Sequence, residues 1–118
     1  MVVRGFFSLA SALILSACQH HAGPVPAVLA DADTATVEAL KSSLATAMDR
    51  AQIELGAGDP TQVPSVVVLP PKPSTFETQS PAMPTVFDLY MDGETCLAVR
   101  QGSEDKIVLD GVACRPHR

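Results

Sequence analysis

The chain has 118 residues, 47% hydrophobic and 18% charged, with a net charge of −5 at pH 7, three cysteines, one tyrosine and no tryptophan. A length of this order holds one domain with a marginal hydrophobic core. Thirteen acidic residues against eight scattered basic ones exclude recognition of nucleic acid or anionic headgroups by charge alone, and so few aromatic rings leave little material for stacking on sugars or bases.

At the amino terminus Arg4 precedes the apolar run Gly5 to Leu15, which is followed by small residues. A basic head before a short apolar stretch is the order of an export signal. As a helix the run is about 16 Å long, roughly half the hydrocarbon core, too short for a permanent span. The motif Leu15-Ser16-Ala17-Cys18 resembles the lipobox of bacterial lipoproteins, with leucine three places before an obligatory cysteine and small residues between. The resemblance covers the first eighteen residues. It implies that 1–17 is a signal peptide cut before Cys18, that the Cys18 thiol carries a diacylglyceryl group, and that the new amino group is acylated, by palmitate or a similar chain. Each buried methylene contributes about 0.8 kcal/mol, so two or three chains anchor firmly where one does not. Gln19 stands where lipoproteins retained in the inner membrane of Gram-negative bacteria carry Asp, which implies the periplasmic face of the outer membrane. The residues also allow an ordinary secretory signal cut near a cysteine, or a buried N-terminal helix. Removing 1–17, in which Arg4 is the only charged residue, leaves 101 residues and moves the net charge from −5 to −6.

Residues 18–33 mix Pro, Gly and small side chains without a helical or alternating period and read as a lipid-anchored flexible tether. From Thr34 the pattern changes. Val37, Leu40, Leu44, Met48, Ala51 and Leu55 recur at three- and four-residue spacing, predicting an amphipathic helix from about 35 to 55. Asp33 or Thr34 is suited to cap its start and Gly56 to end it. Ile53 falls off the stripe, which requires either a second contact surface or an early stop followed by an extended Gln52-Ile53-Glu54-Leu55.

Residues 57–84 form a Pro-rich connector with seven prolines, within which Val66-Val67-Val68-Leu69 reads as an edge strand between Pro64 and Pro70. Pro70-Pro71-Lys72-Pro73 is stiff and extended, suited to lying across a sheet or to seating in an aromatic groove. Val86 to Met91 and Thr95 to Val99 flank Asp92-Gly93, the signal for a tight type I′ hairpin. Pairing 91 with 94 sets Leu89 opposite Cys96 and Phe87 opposite Ala98. Phe87, Leu89, Met91, Cys96 and Ala98 then share the face that covers the helix, and Tyr90, Leu97 and Val99 share the other with Asp88 and Thr95. Ile107 to Leu109 and Val112 to Cys114 are expected to extend the meander, with a turn at Asp110-Gly111.

Three cysteines in an exported protein divide into one lipidated and two paired, so Cys96 and Cys114 are expected to form a disulfide. Closing that loop restrains the unfolded chain by about 3 kcal/mol. A thiol pair for a soft metal or a redox couple is the rival, but no Cys-x-x-Cys spacing supports it. His20 and His21 are the candidate metal ligands, yet two histidines on a tether are short of the four ligands of a structural zinc site. His117 is a solvated tail residue. Asp31 with Asp33, Asp92 with Glu94, and Glu104 with Asp105 lie in turns and lack the burial that separates acid from base. No nucleophile elbow, phosphate-cradling loop or cofactor motif is present.

The sequence therefore reads as an α+β module at 34–118, one helix on a small antiparallel meander tied by a disulfide, after a signal peptide and tether. No catalytic, cofactor or metal residue is assigned. The expected function is that of a non-enzymatic envelope accessory or binding protein, held to the membrane through its lipid and docking an envelope protein, with no nucleic-acid partner. The alternatives are a small periplasmic inhibitor of a lysozyme or protease, whose inserting loop is Gln101-Gly102-Ser103-Glu104-Asp105, and a metal-binding envelope protein using His20 and His21.

Overall fold

The structure is a computed structural model in which Gly5, 23–72 and 82–118 are described. Cys18, His20, His21 and most of the signal segment lie outside these residues. In chain order the elements are β1 (Val25–Leu29), α1 (Thr34–Ala47), β2 (Ser65–Val68), β3 (Thr85–Asp92), β4 (Thr95–Arg100), β5 (Lys106–Val108) and β6 (Cys114–Pro116). Among the described residues one helix and a six-stranded antiparallel sheet make this an α+β fold. Strands run in the order β5-β4-β3-β1-β6, and β2 shares with β1 the edge of β3 that faces away from β4.

The tether expected at 18–33 is overturned from Val25 onward, because β1 is an inner strand. Val25 and Pro26 pair with Met91 and Tyr90 of β3, and Ala27 to Leu29 pair with β6. The lone N–H that proline lacks thus falls where the strand passes from one ladder to the other, and the Pro26 carbonyl still accepts from the His117 N–H at 2.9 Å. Ala27, Val28 and Leu29 are all buried. A strand buried on both faces has no alternation to read, so the period-two signal is missing from the sequence.

Helix α1 stops at Ala47, eight residues before the expected end. The Asp49 N–H donates to the Thr46 carbonyl and the Arg50 N–H to the Ala45 carbonyl, at 3.1 and 2.9 Å, with Asp49 in the left-handed region at φ 53°. This is a Schellman stop, in which an aspartate holds the place usually taken by glycine. The chain then extends. Leu55 bridges Val68, and Gly56 donates to Val67 instead of ending the helix. The extended segment buries Ile53 to 2% exposure against the core, which a continued helix would have turned toward water. At the other end Asp33 occupies the cap position without a side-chain cap bond; the Asp31 carboxylate instead accepts the Asp33 N–H at 3.0 Å.

The β3–β4 hairpin has a different register from the expected one. Asp92 pairs with Thr95, Met91 with Cys96, Leu89 with Ala98 and Phe87 with Arg100. The two-residue loop is Gly93-Glu94, and Gly93 at φ 61° occupies its first central position while Glu94 is not in the left-handed region, the requirement of a type II′ turn. Each partner moves by two residues, one full period of the pleat, so every side chain keeps its face. Phe87, Leu89, Cys96 and Ala98 accordingly sit buried in one cluster with Leu40, Leu44 and Ala45 of α1.

The meander ends at β5. The segment expected to continue it pairs elsewhere, with Cys114 to Pro116 joining Leu29 to Ala27 of β1. Gly111, at φ 74°, turns the chain back beneath Ala39 of α1, where a Cβ would stand 3.5 Å from that side chain. The Cys96–Cys114 disulfide then ties β4 to β6 across a 5.7 Å Cα separation. These strands are not neighbours in the sheet, so the bond holds the curl that closes the sheet over its core.

Candidate functional site

Among the described residues no group of three or more His, Cys, Asp or Glu side chains is arranged to hold a metal ion, and none of their helices is long and apolar enough to cross a membrane. Two carboxylates, Asp31 and Asp59, bind hydroxyl and N–H donors in their own turns. Asp31 is held below the ordinary carboxylate range by the Thr36 hydroxyl first and the Asp33 N–H second. Asp59 is held low in the same way by the hydroxyl and then the N–H of Thr61. Both carboxylates stabilise turns at the surface. The Asp59 turn sits against β1 and β6, since the Leu29 N–H donates to the Pro60 carbonyl at 2.8 Å and the Arg115 guanidinium to the Thr61 carbonyl at 3.1 Å. Glu38 and Lys41 form a surface ion pair at 3.9 Å on α1, a contact worth little in water. His117 is exposed.

Cys96 and Cys114 come together as a disulfide within the core, so neither offers a thiol. Loop Gln101–Asp105 is pinned by its own hydrogen bonds. The Gln101 N–H donates to the Val86 carbonyl, Ser103 to the Arg100 carbonyl and Asp105 to the Ser103 hydroxyl, while the Gln101 amide reaches the Asp88 carboxylate at 3.0 Å. It follows the last residue of β4, whereas β1 enters the sheet beside Met91 at the start of the 92–95 turn. Pro24, just ahead of β1, nevertheless lines one groove together with Ser103 and Glu104 of the loop.

Two open surfaces flank β5. On the sheet face away from α1, Tyr90, Leu97 and Val99 floor a shallow groove of about 510 Å³ rimmed by Glu104 and Lys106. On the other side a second groove, also about 510 Å³, runs between α1 and β5. Its helix wall is made of Ala39, Ser42, Ser43, Thr46 and Ala47, and Ile107 and Val108 form the opposite wall. Val108 is 53% exposed between the two. The signal in the sequence for this region is slight: Ala39, Ser43 and Ala47 stand four apart on one ridge. Three residues of β5 are too few for a period to register, and only the sheet order shows that they form an edge. Comparison of the chain with family models, curated proteins and solved structures finds no match.

Proposed function

We propose that this protein is a lipid-anchored accessory of the bacterial envelope, non-enzymatic, which holds a small disulfide-tied α+β domain at the periplasmic face of the outer membrane and docks another envelope protein there. The observation that carries the reading is the motif Leu15-Ser16-Ala17-Cys18 directly ahead of a folded domain. Six residues separate Cys18 from the first residue of β1, a reach of about 24 Å when extended. A spacer that short keeps the domain beside the headgroups, where a partner in the same membrane meets it at high local concentration. The test is the N-terminal mass of the mature protein extracted from membranes, combined with crosslinking in its native cell. A diacylated or triacylated Cys18 and one recurrent envelope partner support the proposal. Unmodified Cys18, or a membrane-bound mature Cys18→Ser variant, contradicts the anchor.

The Gln101–Asp105 loop favours a second reading, inhibition of a lysozyme or protease, because an inserting loop must be rigid and this one is stitched by four hydrogen bonds. Residual activity of such an enzyme, titrated with the purified protein, separates the two.

A further inference from the structure

Strand β5 is an end strand of the sheet, at the opposite end of the order from β6. The Leu109 N–H donates to the Cys96 carbonyl at 2.9 Å, so 96 and 109 are a hydrogen-bonded pair. In an antiparallel ladder such pairs alternate, which makes Ala98 and Ile107 the next one. The backbone groups of Lys106 and Val108 therefore point away from β4, and no strand among the described residues takes them. Edge strands are commonly shielded by short length, lysine, proline, a bulge or a covering element; β5 is short and carries Lys106, but no proline stands in it and no strand among the described residues covers it. Here the edge is flanked instead by an open groove, whose helix wall of small side chains leaves room for the inward side chains of an added strand.

The charges decide what fits. Glu104 and Asp105 lie before the strand and Asp110 after it, and the nearest cations are Lys106 on the strand and Arg100 beside Asp105. A second copy related by a two-fold axis through Ile107 would set its own Glu104 against Asp110, like charge on like, and one related by an axis through Val108 would pair Lys106 with Asp110 but set Glu104 against Val112, with no cation opposite it. An unlike chain with a cationic residue at each end of a short apolar stretch meets a carboxylate at both ends. From this geometry we infer that the β5 edge and the α1–β5 groove form a docking site for an extended, cationic-ended peptide segment of another protein, added to the sheet as a seventh strand. The inference rests on the proposed docking role and assigns that role a place and a partner chemistry.

The test is fluorescence anisotropy of the capped peptide Lys-Thr-Val-Leu-Val-Thr-Lys with the purified full chain, alongside its counterpart ending in Glu. The Lys-ended peptide is expected to bind at least about tenfold tighter than the Glu-ended one, and to weaken as salt is raised. Val108→Pro removes an outward N–H and no bond to β4, so it is expected to weaken binding by about tenfold with the circular dichroism unchanged. Where that variant fails to fold, Glu104→Gln with Asp110→Asn serves, and it is expected to erase the preference for the Lys-ended peptide. Equal binding of the two peptides, or full affinity in a folded Val108→Pro chain, overturns the inference. So does self-association abolished by Val108→Pro, which makes a second copy the occupant. A native partner crosslinked only to other surfaces overturns it too, while leaving the accessory role standing.

Discussion

Asp49 offers the sharpest test of how the helix is stopped. Its side chain is exposed and its backbone is held at φ 53°, so substitutions there act through conformation and charge, not packing. Two effects oppose the native residue. A left-handed conformation costs an L-residue roughly 1–2 kcal/mol, with aspartate near the low end because its short polar chain tolerates the region. A negative charge at the helix C-terminus also interacts unfavourably with the dipole, by about 0.3–1 kcal/mol in low salt. Asp49→Asn removes the charge and keeps the tolerance, so it should stabilise by about 0.5 kcal/mol in low salt and by nothing in high salt. Asp49→Gly removes both penalties but adds about 0.5–1 kcal/mol of unfolded-state entropy. Its net gain should be about 0.5–1 kcal/mol, with the conformational share surviving in salt. Asp49→Val puts a β-branched residue in the same conformation and should destabilise by about 1 kcal/mol or more. Urea denaturation of the three variants in low and high salt measures all of these. If glycine and valine shifted the midpoint in the same direction, the left-handed stop at Asp49 would be wrong, and the helix would have to continue toward Leu55.

Further outcomes follow from burial and bonding. Ile53→Ala should cost about 2–4 kcal/mol while Ala51→Ser, at an exposed position, should be nearly neutral; the reverse order in a denaturation series would restore the longer helix. Replacing Cys96 and Cys114 together by Ala should lower stability by about 3 kcal/mol without changing the membrane fraction of the protein, and loss of a binding or redox activity from a variant that still folds would show the bond to be more than structural. Thr36→Val should raise the Asp31 carboxyl pKa in an NMR titration. Because Asp31 titrates lower folded than unfolded, its contribution to stability is complete above the unfolded value near 4 and is lost as pH falls through the depressed folded value. The pH slope of the variant's stability should therefore differ from the parent's only on that acid side, and an unchanged Asp31 titration would show that the Thr36 hydroxyl does not hold it.

What the sequence by itself determined are the features written in local order or in parity. The stripe Val37, Leu40 and Leu44 placed α1 because helix neighbours recur within a few residues. The face shared by Phe87, Leu89, Cys96 and Ala98 survived a wrong turn type because a two-residue slip leaves the pleat unchanged. The pairing of Cys96 with Cys114 followed from counting thiols. Tertiary structure decided what depends on distant chain. Val25 to Leu29 carry no strand signal, since Val25 and Pro26 are both exposed and Ala27, Val28 and Leu29 all buried, which leaves no alternation, and only β3 and β6 on either side make them β1. The helix ended at Ala47 because Ile53 gains more by lying beside β2 than by continuing the spiral into solvent. The open edge at Lys106 and Val108 depends on distant chain as well: it exists because β6 pairs with β1 and not with β5, which leaves β5 without a second neighbour among the described residues.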